Sequence, residues 1–238
     1  MNVKLISYSQ QAIDLAKMDN VEIDVMNMQD LVAFCARVSN PSNQNNTDTS
    51  EKLIRYLIKN QHWSPLEVVN VCLEITTTRD IARQMLRHRS FSFQEFSQRY
   101  ADPTKELEFV TREARLQDPK NRQNSVSLNG TLGHALINDE WLHKQKILIA
   151  LAKETYTWAV NKGIAKEQAR AVLPEGNTVS RLYVNGTLRS WLHYIQLRSG
   201  NGTQKEHIEI AKKCAEVISK VFPMITEFVS NESNIKKT

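Results

Sequence analysis

The residue types best suited to chemistry cluster in residues 87–100, which read Arg-His-Arg-Ser-Phe-Ser-Phe-Gln-Glu-Phe-Ser-Gln-Arg-Tyr. A guanidinium group binds phosphate through two hydrogen bonds at once, and serine hydroxyls add further donors. Glu95, which lies among these cations, is interpreted either as a neutralising ion-pair partner or as a hydrogen-bond acceptor for a ligand. The segment therefore predicts an anion-binding pocket, entered through an aromatic-rich turn.

Three arginines lead into this segment along a predicted helix over residues 79–88. Arg79, Arg83 and Arg87 recur at i, i+4 and i+8, opposite an apolar face. An arginine stripe of this kind is most often a solvated helix surface, and we interpret Arg79 in that way. Arg87 is predicted to face a ligand instead, because it adjoins the cluster of cations and hydroxyls.

The elements that must position these residues follow from hydrophobic periodicity. Residues 68–78 alternate most clearly between apolar and polar side chains and predict a strand with one buried face. The polar segment 117–133 predicts an inserted loop. The last helix has a broad apolar arc, which suggests a subunit interface. Further strands are predicted over 3–8 and 180–184, and helices over 30–38, 49–60, 79–88, 138–161, 165–172, 187–197 and 204–222.

Composition places the chain among globular proteins that bind anions. Its 238 residues, 41% of them hydrophobic, fit one domain with a sizeable core. The net charge of +5 suits anionic ligands in general and does not single out nucleic acid. Only seven glycines occur, without a Gly-x-Gly-x-x-Gly pattern, so a dinucleotide would not bind through a Rossmann turn.

The cysteines and the apolar segments bear on the cellular compartment. Cys35, Cys72 and Cys214 form no Cys-x-x-Cys pair, and each has apolar neighbours. They predict buried thiols and indicate neither a disulfide framework nor a zinc site. No apolar segment is long enough to span a bilayer, and the first residues lack a secretory leader pattern. We therefore expect a soluble cytoplasmic protein with no bound metal.

Residues 87–100 closely resemble the signature of the flavin-dependent thymidylate synthases, in which Arg-His-Arg is followed after seven residues by Ser and then by Arg-Tyr. The resemblance runs from about residue 36 to the final helix. Four other segments carry it: 36–39 (Ala-Arg-Val-Ser), 62–67 (His-Trp-Ser-Pro-Leu-Glu), 169–174 (Ala-Arg-Ala-Val-Leu-Pro) and 189–198.

The resemblance implies the reductive methylation of dUMP to dTMP without a cysteine nucleophile. It implies FAD as cofactor, NADPH as reductant and 5,10-methylenetetrahydrofolate as carbon donor. The implied fold is α/β (α+β), a single domain over residues 1–238 with a central mixed or antiparallel sheet flanked by long helices. The implied assembly is a homotetramer with active sites at subunit interfaces, with no nucleic acid or membrane as partner.

The resemblance also implies roles for individual residues. Arg198 is the implied catalytic residue, because a fixed guanidinium in a dry pocket stabilises the ionised N3 of the pyrimidine. The residues implied to bind dUMP are Gln84, Arg87, Glu95, Ser97, Gln98, Arg99, Arg170 and Arg198. The residues implied to bind FAD are Ser64, Arg87, His88, Arg89, Glu95, Thr187 and His193.

Several of these residues also have a simpler structural interpretation. Arg198 could complement the dipole of a helix C-terminus. Arg170 could extend to solvent from a packed helix. Ser64 could cap its own turn. His193 and Gln84 could be ordinary exposed helix residues.

Two departures from the family pattern concern the flavin and folate contacts. Thr187 stands where many relatives have Asn, and Gly202 where several have His. They favour one alternative, a nucleotide-binding protein without turnover, which would bind flavin but make no dTMP. A second alternative is a nucleic-acid-binding module that uses the basic residues 79–99, and it predicts strongly salt-dependent binding.

Overall fold

The computed structural model describes residues 1–12 and 27–229. The strands in these ranges are β1 (Asn2–Tyr8), β2 (Asn70–Thr78), β3 (Phe91–Glu95), β4 (Arg115–Gln117), β5 (Ser125–Ser127) and β6 (Val179–Thr187). An antiparallel sheet of four strands in the order β1-β2-β6-β3 forms the centre, and a separate two-stranded hairpin pairs β4 with β5. The expected α/β class with an antiparallel central sheet is confirmed.

Eight α-helices and four 3-10 turns are present in the described ranges. The 3-10 turns are Pro41–Asn43, Ser64–Glu67, Arg170–Val172 and Pro223–Phe228. The helices are α1 (Met28–Ala36), α2 (Ser50–Lys59), α3 (Arg79–Met85), α4 (Pro103–Glu106), α5 (Leu132–Asn161), α6 (Lys166–Ala169), α7 (Leu188–Arg198) and α8 (Lys205–Ile218). None of these helices is both long and apolar enough to cross a membrane.

The strand β2 has the alternating pattern that its sequence predicts. Its odd-numbered positions from Val71 onward are buried, and its full length pairs with β6, from Asn70 opposite Thr187 to Thr78 opposite Val179. The buried face packs on α7, where the Trp191 indole N–H donates to the Val71 carbonyl at 2.9 Å. The sheet and α7 therefore share one core, and this packing fixes the position of α7 relative to the sheet.

Three predicted elements have different bounds, and the neighbouring chain explains each difference. The helix predicted over 79–88 ends at Met85, because the chain must turn to pair β3 with β6. Residues 91–95, interpreted as an aromatic-rich turn, form that strand. The helix predicted from 138 begins at Leu132, where the Thr131 side chain accepts a hydrogen bond from the His134 backbone N–H.

The segment 117–133, predicted as an inserted loop, contains part of a hairpin. Arg115 lies opposite Ser127, so β4 and β5 fold this polar chain back on itself. The sequence did not predict these strands, because a two-stranded hairpin with no buried face needs no alternation of apolar and polar residues. The Arg115 side chain anchors the hairpin to α8 through an ion pair with Glu206, at 2.6 Å.

The interface suggested by the broad apolar arc of the last helix is not found on α8. Its apolar residues, among them Ile210, Cys214 and Ile218, are buried within the chain against the sheet, α7 and Phe222. The helix stops at Ile218, before the predicted 222, because Pro223 favours an extended Phe222. The breadth of the arc reflects several neighbours inside one subunit.

Candidate active site

The Arg-His-Arg segment lies in the tight connection between α3 and β3. The His88 N–H donates to the Met85 carbonyl at 2.9 Å, and the Phe91 N–H donates to the His88 carbonyl at 3.3 Å. Phe91 opens β3 opposite Gly186 of β6. A Cβ atom at Gly186 would lie 2.2 Å from the Phe91 ring, so glycine is required for this close approach. The sheet thus fixes the position of His88.

The second wall of the site is the exposed face of α7. Thr187 is the N-cap of this helix and accepts a hydrogen bond from the Ser190 backbone N–H. Between α7 and the turn at 87–90 lies a cavity of about 640 Å³, which we call the RHR cavity. Its lining residues are Trp63, Glu67, Arg87, His88, Arg89, Ser90, Arg189, Ser190, His193, Gln196, Leu197 and Arg198.

Arg198 and His88 form the central pair of the RHR cavity. The Arg198 Nε–H donates to His88 Nε2 at 3.0 Å, and His88 is only 8% exposed. Burial, followed by the positive charges of Arg198 and His193, lowers the pKa of His88 to about 4. His88 is therefore neutral near pH 7 and accepts through Nε2. The pair orients Arg198 while the guanidinium keeps its terminal N–H groups.

Arg189 is held at the rim of the RHR cavity by two residues from the segment 62–67. Its guanidinium carbon lies 5.8 Å from the centre of the Trp63 ring, and it forms an ion pair with Glu67. Neither Trp63 nor Glu67 is among the site residues that the sequence predicts. Their place in the His-Trp-Ser-Pro-Leu-Glu segment was the available signal.

Five of the predicted site residues line the RHR cavity, and the others lie elsewhere. Gln98 and Arg170 line a separate cavity of about 270 Å³ with Arg79 and Arg83, which we call the Arg170 cavity. Gln98 is 3% exposed, and within the described residues its Nε2 has no hydrogen-bond partner. The five in the RHR cavity are Arg87, His88, Arg89, His193 and Arg198.

Glu95 is an ion-pair partner, the first of its two interpretations. It lies 3.2 Å from the Arg79 guanidinium and accepts a hydrogen bond from the Ser180 hydroxyl at 2.7 Å. The solvated position predicted for Arg79 is wrong, since this residue is 7% exposed. Glu95 and Ser97, both partly buried, line a third cavity, of about 290 Å³, near β6.

The four remaining predicted residues do not line any of these three cavities. Arg99 forms an exposed ion pair with Glu167 at 3.1 Å. Gln84 is partly buried and bonded to other side chains, so its interpretation as an ordinary exposed residue is wrong. Ser64 is exposed at the start of a 3-10 turn and makes no side-chain cap there. Thr187 caps α7 and lies outside the lining of the RHR cavity.

None of the three cysteines has the setting of an activated thiolate. Burial raises the pKa of Cys35, Cys72 and Cys214 above the ordinary value. The prediction of buried thiols is confirmed for Cys214, which is fully buried. Cys35 and Cys72 are only partly buried. A nucleophilic thiol needs a lowered pKa, so none of these cysteines is suited to attack a substrate. The groups that remain for chemistry are the arginines and histidines of the RHR cavity, which suit an anionic ligand.

Comparisons with known proteins place the chain among related sequences. The sequence profile of the Thy1 family, described as "Thymidylate synthase complementing protein", matches residues 23–224. A probable flavin-dependent thymidylate synthase of Paramecium bursaria Chlorella virus 1 is 44% identical, over 95% of this chain and 98% of its own. The flavin-dependent thymidylate synthase of Synechocystis sp. is 43% identical, over 94% and 97%.

A solved structure has the same fold. The UMP/dUMP methylase PolB from Streptomyces cacaoi, bound with 5-Br dUMP, superposes with a TM-score of 0.75. The sequence identity is 24%, and the match covers 95% of this chain and 93% of that one.

Proposed function

We propose, from the premise that this chain belongs to the flavin-dependent thymidylate synthase family, that it methylates dUMP to dTMP in the cytoplasm. The proposed carbon donor is 5,10-methylenetetrahydrofolate, and the proposed reductant is NADPH. The observation that carries the proposal is the pair Arg198–His88, a guanidinium oriented by a neutral imidazole in a cavity lined by further arginines.

The residues of the RHR cavity fit a flavin nucleotide. A volume of about 640 Å³ is within the range of cofactor pockets. Arg87 and Arg89 are exposed at its mouth and suit a pyrophosphate, and Trp63 offers an aromatic surface. We propose that these residues, with His88 and His193, hold FAD. The reduced flavin, when bound, supplies the hydride of the reaction.

Arg198 is proposed as the residue that stabilises negative charge on the pyrimidine ring. Its Nε–H is occupied by His88 Nε2, so the terminal N–H groups are the ones available to the ionised N3 and its neighbouring carbonyl. Because His88 stays neutral, it adds no second positive charge that would repel Arg198. A fixed donor of this kind is typically worth about 10²–10³-fold in turnover.

The predicted dUMP residues are spread over separate cavities of one chain. Arg87 and Arg198 line the RHR cavity, whereas Gln98 and Arg170 line the Arg170 cavity. Arg79 and Arg83, which line the Arg170 cavity, lie on α3. Arg87, which lines the RHR cavity, follows the C-terminal end of this helix, whose length is about 10 Å. A second subunit could bring its Arg170 cavity to this RHR cavity. We therefore propose that dUMP binds between subunits.

The long helix α5 offers a surface for such an assembly. Its second half exposes an apolar stripe with helical spacing, which we call the α5 stripe: Ile147 (56% exposed), Leu148 (48%), Leu151 (58%) and Trp158 (56%). A contiguous apolar patch of this kind marks a protein contact. We propose that the α5 stripe packs against other copies of the chain in a homotetramer.

An absorption experiment tests the proposed reaction. The purified protein, supplied with FAD, is titrated anaerobically with NADPH in the presence and absence of dUMP, and dTMP is then measured after addition of 5,10-methylenetetrahydrofolate. We expect a bound-flavin spectrum that bleaches, and dTMP as product. Bleaching without dTMP would indicate a nucleotide-binding protein that lacks turnover. A protein that takes up no FAD would refute the proposal and favour a salt-dependent nucleic-acid assay.

A further inference from the structure

A buried histidine, His207, lies behind the candidate active site and takes no part in the chemistry proposed above. It is fully buried at the start of α8 and makes hydrogen bonds through both ring nitrogens. Its Nδ1 lies 3.1 Å from the Gln84 side-chain oxygen, and its Nε2 lies 3.1 Å from the Tyr194 hydroxyl. A buried histidine with two polar partners is held in one orientation.

The direction of each hydrogen bond follows from the partners. The Gln84 amide nitrogen donates to the Gln204 side-chain oxygen at 3.0 Å, so the Gln84 oxygen faces His207 and must accept. His207 therefore carries its proton on Nδ1, and its Nε2 accepts from the Tyr194 hydroxyl. Burial, then the charges of Arg198 and His88, lowers the pKa of His207 to about 3, which agrees with a neutral ring.

The other end of this network is held equally firmly. Gln204, which accepts from Gln84, donates its own amide to Glu206 at 2.9 Å. Glu206 is 7% exposed and forms the ion pair with Arg115 of the β4–β5 hairpin. Both ends of the Gln84 amide are thus fixed, the oxygen by His207 and one N–H by Gln204.

The network also adjoins the RHR cavity. The Tyr194 ring lies edge-on to His88 at 5.1 Å between centroids, and His88 is the partner of Arg198. Gln84 stands one helical turn before His88 and is only partly buried. An amide has two N–H groups, and Gln204 requires one of them, so the second can meet an acceptor on a ligand.

We propose that His207 is a positioning residue that turns the Gln84 oxygen toward the protein, so that Gln84 presents an N–H group to a carbonyl oxygen of the uracil ring. The inference rests on the proposed function, in which Gln84 contacts dUMP. If the amide were reversed, an oxygen would face that carbonyl, and two acceptors would repel each other. His207 would then select for a substrate with an acceptor at this place.

Two substitutions of His207 separate this role from simple packing. In His207→Asn, the amide of the shorter side chain can place an N–H near the position of the histidine Nδ1. In His207→Gln, the amide of the longer side chain reaches the position of Nε2, so the donor to Gln84 is lost. We expect dUMP, titrated into the FAD-loaded protein by calorimetry, to bind about tenfold more weakly to His207→Gln. The binding of dUMP to His207→Asn should stay near the wild-type value. Tyr194→Phe, which leaves Nδ1 untouched, is the matched control and should also bind dUMP normally.

A double-substitution cycle tests whether His207 acts through Gln84. In a Gln84→Ala background the additional change His207→Gln should have no further effect on dUMP affinity. An equal loss in both backgrounds, or equal binding by His207→Gln and His207→Asn, would overturn the inference. If His207→Gln fails to fold, Gln84→Glu takes its place, because a carboxylate keeps the shape but has no N–H. Wild-type dUMP affinity in that variant would also overturn the inference.

The wild-type titration separates the two proposals. Wild-type protein that binds FAD and dUMP, together with unaffected variants, would leave the proposed function standing and reject the role of His207. Wild-type protein that binds no dUMP would reject the proposed function first.

Discussion

Replacing Leu151 by lysine should break the proposed contact between subunits. Full burial of a leucine side chain is worth about 1.5–3 kcal/mol. Leu151 is 58% exposed in the single chain, so burial of this exposed part contributes about 0.9–1.7 kcal/mol per copy. A two-fold interface contains the residue twice, so the loss is about 1.7–3.5 kcal/mol. Association should therefore weaken about 20- to 350-fold.

The measurement is sedimentation velocity over a dilution series of Leu151→Lys and wild-type protein. Ile6→Lys is the matched control, because Ile6 is 49% exposed but lies on the edge strand β1, away from the α5 stripe. We expect wild type and Ile6→Lys to sediment as tetramers at concentrations where Leu151→Lys has dissociated. Leu151→Lys should also lose dUMP binding, since the proposed site lies between subunits. An unchanged assembly in Leu151→Lys would refute the proposed role of the stripe.

Three further outcomes are expected. Arg198→Ala should fold and assemble normally but lose about 10²–10³-fold in turnover, and wild-type turnover in the assembled variant would contradict the role of this residue. Arg170→Ala and Gln98→Leu should each weaken dUMP binding measured by calorimetry while FAD absorbance is retained, since both residues line the Arg170 cavity. The native pKa values of His88 and His207, about 4 and about 3, lie below the ordinary 6.5, so the unfolded chain binds more protons. The folded state loses no stability through these two histidines above pH 6.5, where they are neutral in the unfolded chain as well. The melting temperature should fall as the pH is lowered from 6.5 to 5. The fall should be less steep in His207→Asn than in wild type, because one of the two histidines is absent.

The sequence predicted those features that depend on near neighbours along the chain. The alternation of β2 predicted its buried face, because successive strand residues point to opposite sides of a sheet. The helix predicted over 187–197 is confirmed as α7, in which Leu188, Trp191 and Ile195 recur at helical spacing and are buried. Arg87, His88 and Arg89 predicted a pocket for anions, and all three line the RHR cavity.

Other predictions failed where the answer lay far away in the chain. The interpretation of Arg79 as solvated surface could not take account of Glu95, which β3 brings to it only after pairing with β6. The apolar arc of α8 suggested a subunit contact, but the sheet, α7 and Phe222 cover it within the same chain. The pattern of a helix shows how wide its apolar face is and does not show which neighbours cover it.

The sequence by itself determined the local chemistry: the cations and hydroxyls of residues 87–100, the buried face of β2, the position of the helix α7 and the family to which the chain belongs. Only the tertiary structure decided that Arg198 meets a neutral His88, that Gln84 is turned by His207, and that the predicted dUMP residues fall into separate cavities. The physical reason is that periodicity and capping act over a few residues, whereas burial and pairing depend on which distant segments share one core.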